Sequence, residues 1–354
     1  MGIANLNKFL RAHCPEVFRQ IKLNEIATLK GAVDISLFIF KYKTVFGDSW
    51  LHALLNLLMC IRRNNIHACF IYDTSAPKEK DEERKRRKEQ KSKLDEKLAF
   101  LSAALEKAQL TGEIDPILIE FNKTLPEKKS LLMPKERGID LNIIACEVAK
   151  KLNQSVSIGE SDFVESKKLL DVLGIPWFQA VMEAETTCAD LCINKKVDVV
   201  FSDDSDVLCY GAPFAITNVN TGLDTAVLVS HSEILESLGL THDQFIDFCI
   251  MCGTDYNKNI PKIGPETAFK LIKSHGTIEA IAESGIDVSI LNHVRVRDLF
   301  KNYTRFEETI PFCKQPNFSD VELFFVEYNI KTNLNKLKKC FEPKEIILSD
   351  GLSV

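Results

Sequence analysis

Hydrophobic residues along this chain fall into short unbroken runs and longer stretches with an apolar position every third or fourth residue. Lys30–Ile35 is the first short run; its β-branched residues predict a strand buried in parallel sheet. Ser49–Arg63 sets Leu51, Leu54, Leu55, Leu58 and Ile61 at helical spacing and leads to a second strand, Ala68–Asp73. Strand, helix, strand implies a right-handed parallel crossover. The pattern then breaks, because Lys78–Lys93 is almost wholly charged, with nine Lys/Arg against five Asp/Glu. From about Gln109 to Arg137, Pro116, Pro126 and Pro134 interrupt a weak periodicity and predict an irregular insertion. Helical spacing resumes over Asp140–Leu152 and Ser161–Leu173, the latter stopped by Gly174. A strand (Pro176–Ala180), a helix (Glu183–Asn194) and a strand (Val197–Ser202) follow. Two more strands, Phe214–Val219 and Thr225–Val229, flank Asn220-Thr221-Gly222. Beyond them the chain reads as mostly helical, with Gly264-Pro265 opening Glu266–His275 and Gly276 closing it; the C-terminal part offers only the apolar run Leu323–Val326. The fold class expected is α/β, a mostly parallel central sheet flanked by helices, with a helical appendage.

At 354 residues the chain can bury one large core or two modest ones, and 27% charged with 45% hydrophobic residues is ordinary for a globular protein. Eleven cysteines without a framework, and no leader ahead of them, point to a reducing compartment. Cys249 and Cys252 form a CxxC inside the apolar run Phe245–Cys252 with no second pair, so buried helix cysteines are expected rather than zinc. No run approaches the roughly 20 apolar residues of a membrane span, so no membrane partner is expected. The net charge of −5 does not exclude nucleic acid, because local distribution decides.

Acids cluster where apolar runs end or helices begin: Val33-Asp34, Ile71-Tyr72-Asp73, Glu183-Ala184-Glu185, Asp203-Asp204-Ser205-Asp206 and Gly253-Thr254-Asp255-Tyr256. Gathered carboxylates repel one another unless a cation neutralises them, and hard oxygen ligands in that number suit Mg²⁺ or Mn²⁺. Two such ions can clamp the attacking and leaving oxygens of a phosphodiester. Asp34 and Asp73 close predicted parallel strands, the edge at which open α/β sheets place ligands, although each could also be a helix cap. Glu183 and Glu185 would diverge by about 200° on a regular helix, yet at a helix start both can lean to one site.

In order and interval these motifs resemble the flap endonuclease/XPG family of structure-specific 5′ nucleases over roughly residues 1–110 and 155–285, with a weaker echo at Pro316–Lys339. Met1-Gly2-Ile3 with Leu6 resembles the family's start, Ala32–Ser36 and Ile71–Asp73 with Pro77 its first two metal motifs, and Glu183–Ala189 its paired-glutamate helix. The resemblance implies a PIN-like α/β nuclease with a helical arch and a C-terminal helix–two-turn–helix. It divides the chain into an N-terminal nuclease region at 1–110 that includes a basic arch at about 78–107, an irregular insertion at 111–155, an internal nuclease region at 156–255, and a DNA-binding region with a C-terminal extension at 256–354. It makes Asp34, Asp73, Glu183, Glu185, Asp204, Asp206 and Asp255 ligands of two Mg²⁺ or Mn²⁺ ions, with Asp203 behind them. Phosphodiester hydrolysis leaving a 5′-phosphate and a 3′-hydroxyl is the implied chemistry.

Lys80 and Arg87, seven residues apart, share one helix face. The family's arch carries a lysine and an arginine at that separation, on the scissile phosphate, so both are expected to be catalytic, with Arg86 as the alternative arginine. A charge run is commonly a solvated helix face, but this one follows a metal aspartate and lacks an apolar stripe. Arg84, Arg86, Lys85 and Lys88 would then steer the backbone of DNA. Phe40 is placed either as a base-stacking aromatic or as plain core. Asn259–Ala268 resembles the family's DNA-gripping turn, where Ile260, Ile263 and Gly264 would meet duplex DNA and a K⁺ ion is commonly bound; Gly2 would also lie near DNA. Pro261 and Glu266 depart from the basic residues usual there.

The partner expected is DNA with a 5′ flap or a single-to-double-strand junction, met by a monomer inside the cell, in the nucleus or at a site of DNA replication. No sliding-clamp motif is found, and the chain ends in Leu348-Ser349-Asp350-Gly351-Leu352. Alternatives left open are a 5′→3′ exonuclease, a junction resolvase, an RNase of related design, and a catalytically silent DNA-binding protein.

Overall fold

The structure, a computed structural model, describes residues 2–125 and 139–342. Pro126, Pro134 and the ending at 348–352 lie outside the described residues. Two compact units are present: one comprises residues 2–39, 51–81 and 159–342, the other residues 40–50, 82–125 and 139–158.

The larger unit is built on seven strands: β1 (Phe18–Lys22), β2 (Lys30–Asp34), β3 (His67–Tyr72), β4 (Trp177–Gln179), β5 (Val199–Phe201), β6 (Phe214–Asn220) and β7 (Thr225–Ser230). Their order is β1-β7-β6-β5-β2-β3-β4. The five strands β4, β3, β2, β5 and β6 run parallel, while β7 pairs antiparallel with β6 and β1. The parallel centre is buried on both faces, as the unbroken apolar runs of β2, β3 and β5 require. Because β2 to β5 are parallel, their carboxyl ends share one edge, and the acidic motifs follow from those ends.

Sequence patterning did not show β1, since only Ile21 of Phe18-Arg-Gln-Ile-Lys is buried. It is a short edge strand, and polar edges discourage pairing with other chains. The helix Leu6–His13 was also unread; it buries Leu6, Phe9 and Leu10 in the main core. C-terminal order is likewise greater than expected, with helices at Phe318–Glu327, packed on Glu160–Val172, and at Leu334–Phe341. Cys249 and Cys252 are buried on the helix His242–Cys252, and all eleven cysteines are free thiols.

The expectation about apolar length is corrected. The stretch Ile35–Arg63 is long and apolar enough to cross a membrane by length and composition. Half of its most apolar window is buried inside the protein, and a 3-10 turn at Gly47–Ser49 divides it into helices Ile35–Phe46 and Trp50–Arg63.

In the smaller unit the basic run forms the first turns of a 31-residue helix, Asp81–Thr111. Its C-terminal half supplies Leu98, Leu101 and Leu105 to a local core with Leu118, Phe121 and Ile144. Within the span expected to be irregular, Pro116–Thr124 is a regular helix, while Leu141–Gln154 is the helix that the spacing over Asp140–Leu152 predicted. Pro116 sits at the first helical position, where a missing N–H costs nothing, and Asp115 caps the helix by accepting from Ile117 N at 2.9 Å. A start signal there resembles a breaker.

Candidate metal centre

Six of the seven expected ligands are buried side chains of the larger unit, at the carboxyl edge of its parallel strands. Asp34 is the last residue of β2, and its Oδ1 accepts from Ser36 N at 3.0 Å. Asp73 follows β3 and is the exposed member of the set. Its two oxygens bridge elements: Oδ2 accepts from Ser36 Oγ at 2.6 Å, and Oδ1 from Ala184 N at 2.8 Å. Ala184 opens the helix Ala184–Ile193, so Asp73 caps an element remote in sequence, and Glu183 and Glu185 are fixed beside it. Asp204 and Asp206 follow β5, with Asp206 N donating to Asp204 Oδ1 at 3.0 Å. Asp255 lies just beyond Gly253, whose φ of 96° turns the chain out of the helix His242–Cys252.

Electrostatics set this group apart from ordinary buried polar residues. Burial pushes the carboxyls of Asp34, Glu185 and Asp206 well above the usual range, and neighbouring acids add to it: Asp73 and Asp204 for Asp34, and Asp204, Glu185 and Asp255 for Asp206. Asp204 is raised as well, chiefly by burial. Both carboxylate oxygens of Asp206 are buried without a hydrogen-bond partner. Orphaned oxygens amid like charges are costly unless a cation completes them.

Part of that cation is supplied from within. Lys80 Nζ lies 2.6 Å from Glu183 Oε1, 3.0 Å from Glu185 Oε1 and 3.7 Å from Asp255 Oδ2, with 12% of its side chain exposed. Burial works against its charge, but Glu185, Glu183 and Asp206 outweigh that and push its pKa up. The ammonium also stands 5.5 Å from the ring centroid of Tyr256. Among the described residues no three His, Cys, Asp or Glu side chains are drawn into a ready metal cage. The all-oxygen donor set and the orphaned Asp206 nevertheless fit hard divalent cations. Asp34, Asp73, Glu183, Glu185, Asp204, Asp206 and Asp255 are the residues that would hold them.

Several contacts escaped sequence reasoning. Tyr256 donates to Glu183 Oε2 at 2.7 Å, and its hydroxyl meets that of Tyr210 at 2.8 Å, forming a buried pair behind the glutamate. Tyr256 stood in a quoted motif, but only packing reveals its partner. Gly2 packs directly on the acids: with φ of 80°, a Cβ there would fall onto Asp204 Oδ1, 2.7 Å from Asp206 Oδ1 and 2.9 Å from Ser205 Oγ. Ser205 Oγ in turn accepts from Ile3 N at 3.1 Å. Asp203 faces the other way, its Oδ1 accepting from Thr217 Oγ1 at 2.8 Å and Asn218 N at 2.9 Å, where it steadies the irregular end of β6.

Ile260, Ile263 and Gly264 lie in the turn joining the packed helices His242–Cys252 and Pro265–His275. Ile263 N donates to Ile260 O at 3.1 Å, and Gly264 is the helix N-cap with no side-chain cap. The first backbone N–H groups of that helix therefore have no side-chain acceptor from Gly264. Glu266 is paired with His13 at 2.8 Å.

Phe38 and Ile39 are buried at the end of a segment of the larger unit, whereas Phe40, the first residue of the smaller unit, is 42% exposed, which removes it from the core. Arg86 and Arg87 both bond Glu83 on their own helix, at 2.6 and 2.7 Å, and Arg84 is exposed.

The XPG N-terminal domain matches residues 1–94 and the XPG I-region matches residues 174–255. A RAD2-like endonuclease of Invertebrate iridescent virus 3 is 32% identical, covering 91% of this chain and 92% of its own. Flap endonuclease 1 of Scheffersomyces stipitis is 28% identical over 96% of this chain and 88% of its own. Among solved structures, the catalytic core of Rad2 in complex with DNA substrate superposes with a TM-score of 0.67 at 18% identity, covering 96% of this chain and 98% of that one.

Proposed function

The chain belongs to the flap endonuclease/XPG family of structure-specific, divalent-metal-dependent nucleases, and from that premise we propose that it cuts DNA at 5′ flaps, gaps or free 5′ ends with two Mg²⁺ or Mn²⁺ ions. The observation that carries the metal assignment is Asp206, whose two buried oxygens have no partner while Asp204, Glu185 and Asp255 crowd it. When bound, the ions supply an activated water and the positive charge that stabilises the departing oxygen.

The chain's own residues do the rest. Asp34, Asp73, Asp204 and Asp206, from the ends of β2, β3 and β5, and Glu183, Glu185 and Asp255 form a rigid oxygen-lined edge, so its geometry is set before substrate arrives. Tyr256 holds Glu183 Oε2, leaving Oε1 to Lys80. Lys80, held among the acids, would meet a phosphate oxygen of the substrate, and Arg87, on the helix Asp81–Thr111, would be a second residue to contact phosphate. Arg84 and Arg86 draw in the phosphate backbone, and Phe40 offers a free ring face for a base. The turn at Ile260–Gly264 would present backbone to duplex DNA and is where a K⁺ ion would be held, within a region at 256–354 that comprises this DNA-binding turn and a C-terminal extension.

A 5′-labelled flap beside a nick tests this with Mg²⁺ and with EDTA. Release of the intact flap as one short oligonucleotide in Mg²⁺ alone is expected, and Asp204→Ala should abolish it while flap binding persists. Laddering to mononucleotides from a blunt end would move the assignment to a 5′ exonuclease. Tight binding without cutting would leave a silent DNA-binding protein.

A further inference from the structure

Lys80 does not belong to the sheet whose edge carries the acids. It ends the 3-10 turn Lys78–Lys80, whose N-cap is Pro77, and its own N–H donates to Pro77 O at 3.0 Å. The chain before the turn is fixed at Thr74 and Ser75, both of which donate to Met182 O. Among the described residues, one side-chain bond besides those of Lys80 ties the turn to the rest of the larger unit: Glu79 Oε1 accepts from Arg295 Nε at 2.7 Å. That bond is the main reason the Glu79 carboxyl lies below its usual range, and Lys78 beside it adds a weaker through-space pull. Successive side chains of a 3-10 turn point about 120° apart, so a grip on Glu79 fixes the rotation that aims Lys80 inward.

Arg295 is itself held in place. Its Nη1 donates to Asp298 Oδ2 at 2.6 Å on the same helix, His293–Lys301. That helix buries Val296 and Phe300 and packs on His242–Cys252, the helix that runs into Gly253 and Asp255. Asp255 Oδ2 stands 3.7 Å from Lys80 Nζ. Phe300 sets its ring edge-on to that of Tyr256 at 5.5 Å, and Tyr256 donates to Glu183, which lies 2.6 Å from Lys80. One helix thus supports the carboxylates that hold Lys80 and, through Arg295, the turn that carries it.

We propose that Arg295 is a positioning residue for the cutting step: by gripping Glu79 it sets where the Lys80 ammonium stands against the acids and the phosphate they receive. This rests on the nuclease reading and on Lys80 as a phosphate contact. Arg295 and Glu79 are 48% and 21% exposed, so their pair adds little to stability. Its contribution is to geometry, where a displacement of about 1 Å can cost roughly a hundredfold in rate.

The test measures single-turnover cleavage of a nicked 5′-flap DNA by the whole chain in Mg²⁺, flap affinity by fluorescence anisotropy in Ca²⁺, and a thermal melt of each variant. Arg295→Ala and Glu79→Ala should each slow cleavage about tenfold, with flap affinity within about twofold and the melt near that of wild type. Arg295→Lys, which keeps a cation beside Glu79, should recover part of the rate. In a Lys80→Met background neither alanine should slow cleavage further, a result that a general structural loss would not produce. Losses that multiply in that background, or that fall on flap affinity while the rate holds, overturn the positioning role. So does a wild-type rate in both alanine variants. Lys80→Met cutting as fast as wild type overturns the assignment of Lys80 to the phosphate, and the proposal with it. A wild-type protein that cuts nothing in Mg²⁺ overturns the nuclease reading itself.

Discussion

Asp206 concentrates the tension of this molecule into one side chain: fully buried, flanked by acids, and lacking any hydrogen-bond donor. Such a group destabilises the metal-free fold, so Asp206→Asn should raise stability in EDTA by about 1 kcal/mol or more and cut cleavage at least about a hundredfold. Urea unfolding in EDTA beside a flap assay checks both; a less stable Asn variant would mean the charge is already compensated. Lys80→Met should do the reverse. Removing one partner of a buried ion cluster costs roughly 3–5 kcal/mol, and Lys80 serves Glu183 and Glu185 at once. Mg²⁺ should recover much of that loss in a thermal melt, because ions can answer the same carboxylates. The acids were picked out in the sequence by their recurrence and order rather than singly, since each alone has a structural explanation, as Asp73 shows by accepting from Ala184 N. Their internal cation was legible only as a position on a charged segment. The contacts of Tyr256, Tyr210 and Gly2 were not, because each joins residues far apart in the chain.

At the scale of elements, the helices His231–Leu238 and His242–Cys252 meet through their first residues, with His231 Nε2 3.3 Å from His242 Nδ1. Burial, with His242 adding to it, lowers the His231 pKa from 6.5 to about 4. Between those two values the unfolded chain binds a proton that the native protein refuses, so stability falls as pH drops through that window. The loss should approach roughly 3 kcal/mol, and His231→Gln should flatten the dependence. Asp243 and Lys301, which face the pair, cancel each other at 2.6 Å and so contribute little slope. Urea midpoints near pH 7 and near pH 4.5 measure the effect; equal slopes for both proteins would exclude His231 as its source. The same scale shows why some elements were readable and others not. The strands β2, β3 and β5 are buried on both faces and announce themselves as apolar runs. The edge strand β1 buries Ile21 alone, and the helix at Pro116 begins with the residue that elsewhere ends one. Patterning reports burial, and these elements lack a burial signature of their own.

For the whole molecule, the proposed metal centre would make folding and metal loading one equilibrium, because the seven acids come together only when five distant segments of the chain have met. The melting temperature should therefore climb with Mg²⁺, by the equivalent of about 2.7 kcal/mol at a hundredfold excess over Kd. Asp206→Asn should lose most of that increment, and a melt indifferent to Mg²⁺ in the wild type would argue against a metal centre. The larger unit that holds this centre is interrupted twice, at residues 40–50 and 82–158, by the chain of the smaller one. Closing a longer excursion is cheap, about 0.6 kcal/mol for each doubling of length. Natural variation can therefore lengthen, shorten or replace the inserted stretch while the strand ends that carry the acids remain as they are. The boundary positions 81/82 and 158/159 are thus graft points, at which a relative's insert could be transplanted without rebuilding the sheet edge that carries the acids.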